Sequence, residues 1–192
     1  MLILSLCDYT GNMLKPWAEA GHQCIAVDLA QDNPRTENGI TYMQEDIFDF
    51  PLLPSGYDYI FAFPPCTDLA ASGARWWQDK GIRATIESLQ LVEQSLKICQ
   101  TAKRGWMIEN PIGRLSNLWR KPDFYFDPCD YGDPYTKKTC LWVGGDFKMP
   151  ATERVLATLG SKMHKLPPSK DRARLRSETP MGFARAVYTA NR

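Results

Sequence analysis

Leu2-Ile3-Leu4-Ser5-Leu6-Cys7-Asp8-Tyr9-Thr10-Gly11-Asn12 passes from a short apolar run into a cluster of turn residues, and that change of character decides the fold. The apolar part has the length of a buried strand, and residues 8–12 are turn chemistry. A helical stretch then leads to a second apolar run, residues 25–27, which ends at Asp28. Strand, turn, helix and strand in this order predict the start of a parallel sheet.

The pattern repeats outward from there. Residues 41–43 predict a strand leading to Asp46, and the apolar run 57–63 predicts another, stopped by Pro64-Pro65. Over residues 85–103, Ile86, Leu89, Val92, Leu96 and Cys99 recur at helical spacing before Arg104-Gly105 closes the segment. Residues 106–108 predict a further strand running into Glu109-Asn110-Pro111, and residues 139–143 a last one before Gly144-Gly145. Residues 162–178 are basic and proline-containing, as a loop or linker is, and residues 179–192 return to helical character. The expectation is one α/β domain over residues 1–192, Rossmann-like, with a mostly parallel sheet and no internal repeat.

Composition narrows the classes. With 192 residues the chain can bury a core unaided, and its net charge of +1 gives no global signal for nucleic acid. The positive charge is local instead: Lys162, Lys165, Lys170, Arg172, Arg174 and Arg176 cluster in one segment, read either as a contact to phosphates or as a solvated loop. The six cysteines form no CxxC pair and the two histidines lie far apart, which predicts no metal site. No apolar run approaches the roughly 20 residues of a membrane helix, and no basic leader precedes Cys7, so reduced thiols in a cytoplasmic protein are expected.

In open parallel sheets ligands gather at the carboxyl ends of strands. Asp8, Asp28, Asp46, Cys66 and Glu109 all follow predicted strands, so one cleft could receive them all. Asp28 stands where an acid accepts the ribose hydroxyls of an adenosine-containing cofactor; Asp46 could meet an adenine amino group; Gly11 would let the backbone approach a ligand. Each has a plainer alternative as a helix cap or turn residue. Pro64-Pro65-Cys66 is more specific, because two prolines fix the backbone and deliver the thiol rigidly at a strand end. If the strand before Glu109 is a neighbour, a carboxyl group stands beside that thiol. Such a pair suits reversible addition of Cys66 to carbon 6 of a cytosine, with Glu109 donating a proton to ring nitrogen 3.

At this point the motifs resemble the DNA cytosine-5 methyltransferases, in order as well as content, over most of the chain. Ala62-Phe63-Pro64-Pro65-Cys66-Thr67 followed by Ala71-Ser72-Gly73 is similar to that family's nucleophile motif and mobile loop, and Glu109-Asn110 to its glutamate motif. The resemblance implies S-adenosylmethionine as cofactor, leaving as S-adenosylhomocysteine, with Asp8, Gly11, Asp28, Asp46, Ile47 and Pro64 on the cofactor side. It implies Pro65, Ser72, Arg75, Asn110, Lys137, Lys138 and Thr139 on the substrate side, and a flipped or unpaired cytosine in DNA as the target.

The chain departs from the family in three places. Cys7-Asp8-Tyr9-Thr10-Gly11 stands where relatives carry Phe-x-Gly-x-Gly. Tyr135, Lys137 and Thr139 stand where relatives carry Gln-x-Arg-x-Arg, so Lys137 or Lys138 would supply part of the arginine's charge. No separate target-recognition domain follows Tyr131-Gly132-Asp133-Pro134, which predicts low sequence selectivity. Thr179-Pro180-Met181-Gly182-Phe183-Ala184 is similar to a closing helix of short phage-like members, implying a bacterial or phage-infected cell as the setting. Residues 67–81 form the candidate closing loop, in which Arg75-Trp76-Trp77 either contacts DNA or packs on the core. Two rivals remain: the same chemistry on a free nucleotide such as dCMP, and a non-catalytic homologue that binds DNA or protein.

Overall fold

A computed structural model describes residues 1–54, 56–161, 166–167, 169 and 172–192. Lys162, Lys165 and Lys170 of the basic segment lie outside the described residues. The sheet is built from β1 (Leu2–Leu6), β2 (Gln23–Val27), β3 (Arg35–Glu37), β4 (Ile40–Met43), β5 (Tyr59–Ala62), β6 (Gly105–Pro111), β7 (Phe124–Phe126) and β8 (Thr139–Gly145). Their order is β3-β4-β2-β1-β5-β6-β8-β7. Strands β4, β2, β1, β5 and β6 are mutually parallel; β8 runs antiparallel between β6 and β7, and β3 is an antiparallel edge.

Helices cover both faces of the sheet. On one side α1 (Lys15–Glu19) and α5 (Met181–Asn191) pack on Ile3, Phe61 and Met107, with Trp17, Phe183 and Val187 fully buried between them. On the other side α2 (Trp77–Cys99) packs through Val92, Ile98 and Cys99 on Leu4, Leu6, Ile60 and Ile108. Strands covered on both faces are apolar nearly throughout, which is why β5 reads as an unbroken apolar run and β1 as one interrupted only by Ser5, whose hydroxyl donates to Asp8. Each fully buried Leu, Ile or Phe in these layers contributes about 1.5–3 kcal/mol.

The structure also moves several expected boundaries. Strand β6 does not stop at Ile108: β8 pairs along it as far as Pro111, so Glu109 and Asn110 lie inside the strand. Helix α2 begins at Trp77, well before residue 85, with a break at Gly81 (φ 70°, ψ −178°). Its innermost face is Thr85, Ser88, Val92, Ser95 and Cys99; Leu89 and Leu96 flank it half-buried, and Ile86 faces solvent. Small side chains bring the helix closest to the sheet, so the leucine-rich stripe is displaced to the rim. Part of the candidate loop is a 3-10 turn (Ala71–Trp76), a single helical turn α3 (Leu115–Leu118) follows β6, and Arg172–Ser177, within the stretch expected as loop, forms α4. Among the described residues no group of three or more His, Cys, Asp or Glu could hold a metal ion, and no helix is long and apolar enough to cross a membrane.

Candidate active site

The carboxyl ends of β1, β2, β4, β5 and β6 lie side by side, because Leu6 pairs with Val27 and Ala62, Val27 with Met43, and Ala62 with Ile108. Two adjoining cavities open along this edge. The first is lined by Cys7, Asp8, Tyr9, Thr10, Asp28, Phe63, Ser177 and Glu178. The second is lined by Phe63, Glu109, Phe126, Lys137, Ser177, Thr179, Pro180 and Phe183. Phe63 and Ser177 belong to both.

In the first cavity the backbone turns sharply: Cys7 has φ 53° and Gly11 φ 63°. Asp8 is buried and organises this loop, accepting from Ser5 Oγ (2.8 Å), Thr10 Oγ1 (3.2 Å) and the Gly11 amide (2.9 Å). Burial nevertheless lifts its carboxyl above the usual range against those hydrogen bonds. Gly11 has a structural requirement of its own, beside the expected approach of a ligand. A Cβ there would stand 2.7 Å from the Tyr42 hydroxyl, so a neighbouring side chain fills the space on that side. Asp28 lines the cavity, is raised by burial, and accepts from the Ala30 amide (2.8 Å). Asp46 accepts from the Phe48 amide (3.0 Å), as a local cap does. Ile47 packs in the core beneath α2 and does not face the cleft; its neighbours on the surface are Phe48 and, after Asp28, Leu29, which are 52% and 63% exposed. Sequence reasoning missed both, although an exposed apolar residue beside each strand-end acid was there to be read.

Glu109 and Lys137 line the second cavity, and Cys66, outside that lining, lies within electrostatic reach of both. Asn110 Nδ2 donates to the Pro64 carbonyl (3.1 Å), tying the end of β6 to the double proline, while its Oδ1 is buried without a partner. Pro64 is buried and Pro65 exposed. Cys66 follows, half-buried, its carbonyl accepting from the Leu69 and Ala70 amides, so the chain turns immediately after the thiol. Burial pushes the Cys66 thiol up and Glu109 pushes it further, while Lys137 and Arg176 pull it down. The sulfur is therefore neither sealed in the core nor remote from the carboxyl. Burial likewise raises Glu109, with Lys137 opposing; Lys137 Nζ stands 3.9 Å from Glu109 Oε1. A carboxyl that keeps its proton to higher pH can serve as a hydrogen-bond donor.

The remaining expected residues divide. Lys137 is at the site; Lys138 points away, 3.9 Å from Asp127 and over the Tyr125 ring. Thr139 is 1% exposed and donates to the Lys137 carbonyl (2.7 Å), so it holds the lysine's backbone and presents no surface to a ligand. Ser72 accepts from Arg176 Nη2 (3.1 Å). Arg75 is exposed, 4.9 Å from the centroid of Trp76, which is itself 51% exposed; Trp77 is half-buried under the Arg114 guanidinium. Neither tryptophan joins a core cluster. Arg176, Ser177 and Phe63 are site residues that sequence reasoning did not assign. Arg176 was legible only as one member of a basic run, whereas Phe63 stood inside the quoted nucleophile motif.

No family model and no curated protein matches the chain. Among solved structures it resembles a candidate DNA modification methyltransferase encoded within an E. coli prophage. The TM-score is 0.53 and the identity 18%, over 89% of this chain and 50% of that one. It also resembles the S. pombe Dnmt2 methyltransferase, with a TM-score of 0.44 and 14% identity over 77% of this chain and 50% of that one. The fold is that of the S-adenosylmethionine-dependent methyltransferases. The chain spans half the length of these two structures. Within this methyltransferase fold, both cavities open at the strand edge where open α/β sheets bind ligands.

Proposed function

We propose that this protein uses S-adenosylmethionine to methylate carbon 5 of cytosine in DNA, with Cys66 as covalent nucleophile, Glu109 as proton donor and little selectivity for sequence. The observation that carries the reading is that a half-buried thiol after β5 and a half-buried carboxyl, raised by burial, on the neighbouring parallel strand β6 influence one another electrostatically. Cytosine carbon 5 becomes nucleophilic once sulfur adds to carbon 6. In that step the Cys66 thiolate forms the S–C6 bond, the C5–C6 π electrons move to C4–C5, the C4–N3 π electrons go to nitrogen 3, and nitrogen 3 takes the proton of Glu109. Lys137, 3.9 Å away, stabilises the carboxylate left behind. After carbon 5 has been alkylated, its proton leaves to solvent, the C–H electrons re-form C5–C6 as the S–C6 pair returns to sulfur as thiolate, and nitrogen 3 gives its proton back to the Glu109 carboxylate.

The first cavity fits an adenosine-containing cofactor by its donor chemistry. Asp28, in its lining, offers an acceptor for ribose hydroxyls, and outside that lining the exposed Leu29, next to Asp28, and Phe48 offer apolar surface for a purine. When bound there, S-adenosylmethionine supplies an electrophilic methyl group. Phe63, which lines both cavities, forms the wall between cofactor and base.

A DNA duplex containing 5-fluorocytosine tests the reading, because fluorine at carbon 5 blocks elimination. With cofactor present, the wild-type chain should become covalently attached and Cys66→Ala should not. Absence of any adduct, with cofactor bound, would overturn the covalent mechanism. Because the chain spans only half of its structural neighbours, parallel labelled-methyl assays on DNA and dCMP decide the size of the substrate.

A further inference from the structure

Three charged groups act electrostatically on the Cys66 thiol, each from a different element: Glu109 from β6, Lys137 from the segment before β8, and Arg176 from α4. Lys137 is shared with the Glu109 carboxylate. Arg176 instead donates from Nη2 to Ser72 Oγ at 3.1 Å. Ser72 belongs to the turn that hangs from the Cys66 carbonyl through the Leu69 and Ala70 amides, with Gly73 N donating to the Ala70 carbonyl at 3.0 Å. The guanidinium is thus fastened to the short segment that carries the thiol. Two residues earlier on α4, the Arg174 guanidinium lies 5.6 Å from the Tyr9 ring in the cofactor loop, and Ser177 lines both cavities.

We propose that Arg176 is a positioning residue for Cys66: by gripping Ser72 it fixes the turn after the thiol and holds a permanent cation within electrostatic reach of the sulfur. The proposal rests on the reading of Cys66 as nucleophile. A guanidinium stays protonated throughout the working range, so its effect on the thiol is constant with pH and is lost only when α4 moves away.

Iodoacetamide alkylation of the full chain, followed across pH by mass mapping of the Cys66 peptide, reads the thiolate without DNA or cofactor. Its outcome is therefore independent of the methylation assays. Wild type is compared with Arg176→Gln, Arg176→Lys and Ser72→Ala. Loss of the cation disfavours the thiolate, so in Arg176→Gln the alkylation profile should move to higher pH, with roughly three- to tenfold less thiolate at neutral pH. Arg176→Lys should recover most of that shift, and Ser72→Ala should fall between. Cys99, fully buried under α2, serves as a folding reference: it must remain unalkylated, and if Arg176→Gln exposes it, the Lys variant decides. Coincident profiles for wild type and Arg176→Gln would overturn the proposal. So would an Arg176→Lys profile displaced as far as that of the Gln variant, because charge would then not be the cause.

Discussion

Cys7 and Cys66 each follow a strand of the same parallel sheet, yet their surroundings differ in sign. Cys7, after β1, sits among Asp28, Asp46 and Asp8, and burial together with these acids pushes its thiol up to about 12. Cys66, after β5, has one acid beside it and two cations opposing that acid. The acids on the Cys7 side are engaged by their own loops, Asp8 by Ser5, Thr10 and Gly11, Asp28 by Ala30. On the Cys66 side, groups converge from β6, the approach to β8, and α4, and Asn110 Oδ1 is left buried and unpaired. Equivalent positions in a sheet therefore carry an acid-rich cavity at one and an imperfectly satisfied cluster of mixed charge at the other. Unsatisfied groups of that kind concentrate where chemistry occurs.

The contrast is broken most directly at Glu109. Glu109→Gln keeps the shape and removes the transferable proton, so transfer to DNA should fall roughly 10²–10³-fold while cofactor binding, at the other cavity, is retained. The pH dependence has a definite sign. Burial lifts the Glu109 carboxyl, so its protonated form persists above the ordinary carboxylate range and declines as pH rises through the raised value. The advantage of wild type over Glu109→Gln should be largest below that value and shrink above it. A ratio that does not vary with pH would remove Glu109 as the proton donor.

Much of this contrast could be read in the chain, for physical reasons. Strands covered on both faces leave continuous apolar runs, so β1, β2, β4, β5, β6 and β8 were visible, and the prolines at 64, 65 and 111 marked the ends that carry chemistry. Strands β3 and β7 have three residues each, too short to show alternation. The inner face of α2 escaped because Thr85, Ser88 and Ser95 are polar by composition and buried through close packing. At the site, sequence left Lys137 and Lys138 equivalent; the entry into β8 separates them, aiming one at Glu109 and the other at Asp127. Arg176 belongs to a helix distant in sequence, and only the docking of α4 brings it to Ser72.

The cofactor side is sharpened by Gly11→Ala. A side chain at φ 63° is strained, and its Cβ would stand 2.7 Å from the Tyr42 hydroxyl, within the fully formed loop that Asp8 organises. The combined cost is roughly 2–4 kcal/mol, which lowers the melting temperature on the order of 10 °C. Tyr42→Phe in the same background should recover part of the loss by removing the clashing oxygen. Recovery would identify Tyr42 as a structural reason for glycine.

Asp28→Asn carries the smallest effect and separates two roles of one carboxylate. Asparagine keeps an oxygen for the Ala30 amide, so the loop should hold its form, but the charged acceptor for ribose hydroxyls is gone, and cofactor affinity measured by calorimetry should weaken about tenfold. Stability should move the other way. Burial raises the Asp28 carboxyl, so its contribution to stability is fully present below the unfolded carboxylate's pKa and is lost as pH rises through the folded value. Asparagine does not ionise, and the melting-temperature difference between variant and wild type should grow from near zero in acid to a small gain at neutral pH. A variant that binds cofactor less well while melting higher would mean that Asp28 is kept for its ligand, at a cost to the fold. One that melts lower at every pH would mean that the carboxylate is a cap like Asp46, and that the receptor lies elsewhere along the same strand edge.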